Sequence, residues 1–585
     1  MSALPADLAA AVERWLAIDP DPVTRVELEE LAAAGDVDGL RSRFDGRLAF
    51  GTAGLRAELG AGPLRMNRVV VRQTTAGLLR WLADRTDGEP LVAVGFDARV
   101  NSDVFAQDVA GVVAAADGRV VVMPRPLPTP LLAYAVRHLE ADAGVMVTAS
   151  HNPPADNGYK VYLGDGAQLV PPNDAEIAAA IAAVADEGSP VEVAPFDHEA
   201  ITAADQRLVD AYVVHTAALA RGTHRKVRAV HTALHGVGTE LVRATMMAAG
   251  FDPPIPVADQ AEPDGAFPTV TFPNPEEPGA LDLALAEARR VGADVVLAND
   301  PDTDRLGVAV PLGGRAAPAD GSAADGSASS RSSGGDVAWR ALTGDEIGVL
   351  LADHTLRHTD GDDRLVASTI VSSRLLGLIA AGAGVHHATT LTGFKWIIRP
   401  ALAHPEWRFV FGYEEALGYL VGDVVRDKDG VGAAVCFAEL VAELAAAGMT
   451  VQDRLDELAR RHGLHATDQV SIRFGDRASG LPRMRDTMDR VRAAPPAELA
   501  GVAVVHVTDL QDGTEELPPA DVVLLELDGG GRVALRPSGT EPKLKAYLEV
   551  VVAVGDEPAA AADARGAART QLDGLRDAVT DLLDG

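Results

Sequence analysis

The sequence predicts an α/β fold repeated over several domains, and three observations carry that expectation. The chain has 585 residues, too many for one core, so roughly three to five domains are expected. Hydrophobic residues make up 47% of it, enough to fill those cores. From Val69 onward, short apolar runs alternate with helical patterns. That alternation builds a parallel or mixed sheet covered on both faces.

Charge and composition remove several function classes. Acidic residues outnumber basic ones 85 to 52, for a net charge of −33. Such a chain is repelled by nucleic acid and by anionic membranes, so neither is an expected partner. An anionic small molecule must instead be drawn in by a local basic pocket. The single cysteine, Cys436, allows no disulfide within the chain and suits a reducing cytosol, so the expected location is cytoplasmic. The amino end is acidic and amphipathic, without a signal-peptide core. The uncharged run from Leu375 to Phe394 is broken by Gly, His and Thr, which argues against a membrane span.

Residues 1–47 read as a helical extension of two or three short helices. A first α/β domain follows over 48–200. It opens with Gly51-Thr52-Ala53-Gly54-Leu55-Arg56, where glycines allow close backbone approach and Arg56 can fork onto an anion. Helix-like Val69–Asp84, strand Leu91–Gly95, the run Phe96-Asp97-Ala98-Arg99, helix-like Val104–Ala116, strand Val120–Met123 and a helix from Pro128 to Leu139 come next. The series ends on the apolar run Ala143–Val147, which leads into Thr148-Ala149-Ser150-His151-Asn152-Pro153-Pro154 and on to Asn157-Gly158-Tyr159-Lys160. The Pro pair stops the strand. Ser150 is therefore expected on a rigid loop at a strand end, with His151 beside it and Lys160 nearby. Ligands of open α/β sheets bind at such loops.

A second α/β domain is expected over 201–315. Strand Val227–Thr232 runs into His235-Gly236-Val237-Gly238-Thr239-Glu240. Leu241 stands where a dinucleotide fingerprint needs its third glycine, so this reads as a strand-to-helix turn. Strand Asp294–Ala298 then enters Asn299-Asp300-Pro301-Asp302-Thr303-Asp304-Arg305. Asp300, Asp302 and Asp304 are two residues apart, so three carboxylates can converge from one loop on a hard cation. A solvated acidic turn is the competing account. An EF-hand fails, because Arg305 and Pro311 occupy its required Gly and Glu positions. After strand Leu306–Val310, the Gly/Ser/Ala/Asp-rich stretch lacks large apolar residues, and residues 316–337 are expected to be a disordered insertion.

A third α/β domain is expected over 338–467. Thr343-Gly344-Asp345-Glu346 should cap a helix. Strands Leu365–Val371 and His386–Leu391 follow, the latter ending at Thr392-Gly393-Phe394-Lys395-Trp396. Phe409–Phe411 leads into Gly412-Tyr413-Glu414-Glu415-Ala416. The Glu pair can accept hydrogen bonds from vicinal sugar hydroxyls; a Glu-rich helix amino terminus is the alternative. The last domain, 468–585, contains a hairpin of Val522–Leu527 and Arg532–Leu535 about Asp528–Gly531. It leads to Arg536-Pro537-Ser538-Gly539-Thr540-Glu541-Pro542-Lys543-Leu544-Lys545. This basic, hydroxylated loop is suited to a phosphate. A helix closes the chain from Pro558 to Leu583. No Walker A pattern is present, which speaks against an ATP-driven kinase.

These motifs together resemble the α-D-phosphohexomutases, over most of the chain. Thr148–Pro153 resembles the loop whose serine carries the transferable phosphate, and Gly51–Arg56 a segment packed close to it. Asp300–Arg305 resembles the metal loop, with Pro301 in place of its first Gly. Arg536–Thr540 resembles the phosphate loop. The Glu pair resembles the sugar loop, with Tyr413 inserted and Ala416 where a Ser hydroxyl is usual. The form around Glu414, with Leu391–Trp396 and Asp427-Lys428-Asp429-Gly430, most resembles the phosphoglucomutase/phosphopentomutase branch. The resemblance implies three similar mixed-sheet α/β domains and a C-terminal α+β phosphate-binding domain in a four-domain, heart-shaped architecture. It implies an intramolecular phosphotransferase, foremost a phosphoglucomutase, with phosphomannomutase and phosphopentomutase as alternatives. Ser150, His151, Lys160 and Arg56 would be catalytic, with His151 and Lys160 both open as the acid/base. Ser150, Asp300, Asp302 and Asp304 would hold Mg²⁺. Thr392, Gly393, Lys395, Glu414 and Glu415 would bind the sugar. Arg305, Arg536, Ser538, Gly539, Thr540 and Lys545 would bind phosphate. A sugar bisphosphate would act as activator and intermediate, and the chain would be a monomer or weak dimer. A metal-dependent sugar phosphatase and an inactive sugar-phosphate sensor are the alternatives from other classes.

Overall fold

In the computed structural model, residues 4–313, 338–475, 477–538, 542–557 and 559–584 are described. The expected insertion at 316–337, and Gly539 and Thr540, lie outside the described residues. The chain divides into two compact units: residues 1–342 with 418–443, and residues 343–417 with 444–585.

The first unit opens with three helices, Ala6–Ile18, Pro22–Ala34 and Val37–Phe44. Asp21 and Asp36 cap the second and third by accepting backbone N–H bonds. Leu8, Val12, Trp15, Leu28 and Leu40 bury them on the core of the first sheet. That sheet has six strands in the order Leu55–Glu58, Asp156–Leu163, Ala143–Val147, Leu91–Phe96, Arg119–Val122, Ile201–Ala203. Its centre is parallel, and Asp156–Leu163 pairs antiparallel on both sides. The sheet is therefore mixed, as the alternation predicts. The strands Leu91–Phe96 and Ala143–Val147 are buried nearly throughout, which explains their unbroken apolar sequence.

Asn157–Lys160 is part of the strand Asp156–Leu163, which brings Lys160 near the Ser150 loop as expected. Asn157 and Gly158 disguise it, yet the segment is closed in on both edges by ladder partners. Gly158 lies where a Cβ would meet Thr148 O and Leu55 O at under 3 Å.

The second sheet of this unit has five strands in the order Trp339–Ala341, Gly307–Pro311, Val295–Ala298, Ala229–Thr232, Ile255–Pro256. Ala229–Thr232 is parallel to both of its neighbours, and Gly307–Pro311 is antiparallel to both of its own. The helix Gly238–Ala248 starts at the second glycine of the expected strand-to-helix turn.

In the second unit, strands His386–Thr390, Arg364–Thr369 and Arg408–Glu414 form parallel pairs in that order. The helix Gly344–Arg357 carries the expected capping box, Thr343 with Glu346. The uncharged run from Leu375 is a nine-residue helix, Leu375–Ala383, followed by a strand. Among the described residues no single helix is long and apolar enough to cross a membrane. The C-terminal sheet is antiparallel, in the order Leu464–Arg473, Lys543–Val552, Arg532–Pro537, Val523–Leu527, Val502–Asp509, Glu498–Leu499. The helix Ala560–Asp584 buries Ala568, Leu572, Leu575, Val579 and Leu583 in its core.

Candidate active site

In the first unit, two loops at strand carboxyl ends meet. Ala143–Val147 delivers Ser150, which is 1% exposed and takes a left-handed backbone, φ 53°. A non-glycine residue held there is strained, and such strain collects at functional loops. Ser150 Oγ donates to Asp300 Oδ2 at 2.8 Å and lies 3.2 Å from His151 Nδ1. Val295–Ala298 delivers the Asp loop, whose turn is closed by Thr303 N–H donating to Asp300 O at 2.9 Å. That loop rests on the glycine turn of the neighbouring strand. A Cβ on Gly236 would meet Pro301 backbone at 2.3 Å, and one on Gly238 would meet Thr303 Oγ1 at 2.7 Å. Those glycines therefore serve the Asp loop and no dinucleotide.

Asp300, Asp302 and Asp304 are all buried and each offers a carboxylate oxygen within 4.8 Å of the others. Lys160 Nζ donates to Asp302 Oδ2 at 2.6 Å and Asp304 Oδ2 at 2.9 Å. Thr129 Oγ1 donates to Asp302 Oδ2 at 2.7 Å, and Arg305 N–H to Asp300 Oδ1 at 3.1 Å. The buried Oδ1 atoms of Asp302 and Asp304 have no hydrogen-bond partner. Buried acceptors left open are costly. Three hard oxygen donors with two of them unsatisfied fit a hard divalent cation.

The electrostatics divide the triad. Burial, then Asp302 and Asp304, push the Asp300 carboxyl well above the usual range. Burial acts to raise Asp302 as well, but Lys160 overcomes it and holds this carboxylate low. Lys160 is itself penalised by burial, yet Asp302 and Asp304 raise it, so it stays an ammonium. Burial, then Arg305 and Arg56, push His151 well below the usual imidazole range, so its ring is neutral at pH 7.

Arg56 stands on the strand Leu55–Glu58, opposite Gly158. Its buried Nε–H has no partner, and among the described residues it makes no ion pair. Arg305 reaches Asp304 Oδ1 at 3.9 Å. Lys428, named in the sequence only through resemblance, lies 3.4 Å from Asp304 Oδ2 and 3.2 Å from Asp427 Oδ1. Tyr162 and Gln168 each donate to Asp427 Oδ2 at 2.6 Å. Four cations therefore surround the loops in a strongly acidic chain. Lys428 and Thr129 were not found by sequence reasoning, because only the fold brings them to Asp304 and Asp302.

The second unit gathers the other expected residues. Glu414 ends the strand Arg408–Glu414 and is buried, while Glu415 is partly exposed. The alternative of a Glu-rich helix start is overturned: the chain runs from this strand directly into the strand Gly418–Val421. Thr369 Oγ1 and Ser372 Oγ donate to Glu415 Oε2 at 3.2 and 3.0 Å. Burial, then Glu414 and Asp345, push the Glu415 carboxyl up to about 7. The inserted Tyr413 is an anchor: its hydroxyl donates to buried Asp345 at 2.9 Å. Thr392 and Gly393, φ 110°, precede the short helix Phe394–Ile397 that carries Lys395.

The expected phosphate loop is shorter than the sequence suggests. Arg536 and Lys545 stand opposite each other on the paired strands Arg532–Pro537 and Lys543–Val552. The strong apolar alternation of Lys543–Val552 extends the ladder into it. Tyr547 lies beside Arg536 on this face. Burial, then Glu415, raise its phenol while Arg536 opposes them. Arg536, Lys545 and the Glu pair are thus drawn around one aromatic ring.

Comparison with known proteins decides the family. Residues 47–187, 210–313 and 343–462 match the three α/β/α domains described as phosphoglucomutase/phosphomannomutase domains I, II and III, and 490–567 match the family's C-terminal domain. The chain belongs to the phosphoglucomutase/phosphomannomutase family. It therefore has the family's four domains, three α/β and one C-terminal, and is an enzyme of the mutase class. It is 43% identical to a Haemophilus influenzae protein named "Probable phosphomannomutase", over 83% of this chain and 93% of that one. It is 34% identical to a Schizosaccharomyces pombe protein named "Probable phosphoribomutase", over 92% and 93%. The fold is also that of a Burkholderia thailandensis phosphoglucomutase/phosphomannomutase family protein, with TM-score 0.65, 19% identity and coverage of 91% and 97%.

Proposed function

We propose that this mutase moves a phosphoryl group between the 1 and 6, or 5, positions of a sugar phosphate, with Ser150 as phosphate carrier and a sugar bisphosphate as intermediate. The observation that carries the reading is the buried Ser150 Oγ aimed at Asp300 among carboxylates with open oxygens. A separate basic pair, Arg536 with Lys545, suits the phosphate that is not being transferred.

Asp300, Asp302 and Asp304, with a phosphoryl oxygen on Ser150, would hold Mg²⁺, which neutralises charge on the transferring group. The chain's own residues do the rest. Phospho-Ser150 gives up its phosphoryl group as the P–O bond to Oγ breaks and a new one to the sugar oxygen forms, and the departing Oγ, 3.2 Å from His151 Nδ1, takes up a proton to become the free hydroxyl. His151, neutral by burial and by its cationic neighbours, suits the proton leaving the sugar hydroxyl better than Lys160, which Asp302 and Asp304 hold as an ammonium. Arg56 and Arg305 offer charge to the phosphoryl oxygens. Glu414 and Glu415 accept sugar hydroxyls. The bisphosphate then turns over, and its other phosphate returns to Ser150.

Glucose phosphate is the first substrate proposed, from the likeness to the phosphoglucomutase branch. A pentose phosphate is the second reading, favoured by the relative named as a phosphoribomutase and by Ala416, which lacks the usual sugar-loop hydroxyl. A panel of glucose, mannose, ribose and deoxyribose 1-phosphates, each primed with its bisphosphate, tests this. The highest kcat/KM is expected for glucose; a hundredfold preference for ribose 1-phosphate would replace the first reading by the second. The reading extends to a cytosolic enzyme working as a monomer or weak dimer.

A further inference from the structure

The strand Leu91–Phe96, beside the strand that leads to Ser150, runs into Asp97-Ala98-Arg99, and nothing above gives this segment a role. Arg99 is 3% exposed, and its guanidinium holds the serine loop by four backbone carbonyls. Nη2 donates to Ser150 O and Asn152 O, both at 2.6 Å. Nη1 donates to Pro153 O at 2.8 Å and Asp156 O at 3.0 Å. The Phe267 ring covers the cation at 4.9 Å. Asp97 holds the loop from its other side. Its Oδ2 accepts from Thr148 Oγ1 at 2.6 Å, and Thr148 Oγ1 accepts from Ser150 N–H at 2.9 Å. Its Oδ1 accepts from Ser102 Oγ at 2.6 Å and Arg99 N–H at 3.0 Å.

Ser150 is thus pinned at both its N–H and its C=O from one neighbouring segment. Its backbone is in the left-handed region, which costs free energy unless the surroundings impose it. A planar fork suits four carbonyls at fixed angles; an ammonium does not. We infer that Arg99, with Asp97 acting through Thr148, is a positioning residue that holds Ser150 Oγ at the Asp300 carboxylate for phosphoryl transfer. This inference rests on the reading of Ser150 as phosphate carrier.

The test uses the full-length protein as Arg99→Ala, Arg99→Lys, Thr148→Val and Thr148→Ser, assayed with primed glucose 1-phosphate alongside thermal unfolding. Arg99→Ala and Arg99→Lys are expected to lose about a hundredfold in kcat, the scale set by small misplacement of a reacting group, with KM changed by less than about threefold. Millimolar guanidinium, but not methylammonium, is expected to return activity to Arg99→Ala without altering Tm. Thr148→Val should fall in kcat and Thr148→Ser should keep it. If Arg99→Ala falls only in step with Tm and guanidinium restores nothing, the inference is overturned. It is also overturned if both Arg99→Lys and Thr148→Val turn over within threefold of the unaltered enzyme. An unaltered enzyme that transfers no phosphate to sugar would remove the carrier reading itself. An active one with indifferent variants would remove only the positioning role.

Discussion

Ser150 Oγ donates to Asp300 Oδ2 at 2.8 Å, across 150 residues of sequence. The contact joins two loops that each end a buried strand, and it puts a hydroxyl beside the carboxylate whose own proton affinity is raised by burial and by Asp302 and Asp304. Ser150→Ala removes this hydroxyl and little else. Folding should be unaffected, because the loop is held by its backbone. Mutase flux should fall by about a thousandfold or more, the scale of losing a nucleophile. Purified unaltered enzyme should carry phosphate on the peptide containing Ser150, read by mass spectrometry.

If the Asp triad holds Mg²⁺ as proposed, chelation should abolish turnover and Mg²⁺ should restore it, with the open oxygens of Asp302 and Asp304 as ligands. Asp302→Asn keeps shape and removes one charge. A loss of about two decades in kcat is expected, as for other charge-stabilising groups. Full activity in excess EDTA would refute the metal assignment.

Much of the Ser–Asp cluster was legible in the sequence because its parts are contiguous. Ser150 with His151, and the three Asp residues, each occupy one short loop after an apolar strand. What was hidden is what only the fold joins. Lys428 reaches Asp304 from 124 positions away, and Thr129 reaches Asp302 from 173. Lys160 reads as near the site, while Asn157 and Gly158 mask the strand that carries it, whose edges are both paired. Tyr413 read as an insertion, and its purpose is visible only in the bond to Asp345. Arg536 and Lys545 read as loop because they are polar, although they belong to the ladder.

Buried Glu549 is the knot of the second unit. It accepts from Ser373 Oγ at 2.9 Å, Arg374 N–H at 2.9 Å and His465 Nδ1 at 3.0 Å, with Arg532 at 3.3 Å. Burial acts to raise its carboxyl, but His465 and the two arginines hold it at about 2. Glu549→Gln should cost about 3 kcal/mol, since it removes the charge that pairs the buried Arg532. The group titrates lower in the folded state than in the unfolded one. Its stabilisation is therefore present above pH 4.5 and lost as pH falls toward 2. Urea unfolding at neutral and acid pH measures both; an unchanged midpoint at neutral pH would contradict this account.

Glu415 behaves oppositely. Its carboxyl is raised from 4.5 to about 7 in the folded state, so its contribution to stability is present below 4.5 and lost as pH rises through 7. The proposed acceptance of sugar hydroxyls by Glu415 is stronger from the ionised carboxylate than from the neutral acid. KM for the sugar phosphate should therefore rise as pH falls through about 7, and Glu415→Gln should flatten that dependence. A KM profile identical in the two proteins would show that Glu415 does not meet the sugar.

The fate of labelled phosphate tests the central claim most directly. Glucose 1-phosphate labelled in its phosphate is supplied with a trace of glucose 1,6-bisphosphate, and products are followed to equilibrium. Transfer through Ser150 predicts label in glucose 6-phosphate, transient label in the bisphosphate and on Ser150, and almost none as free phosphate. Free phosphate released in proportion to the substrate consumed would contradict the account and leave a phosphatase in its place.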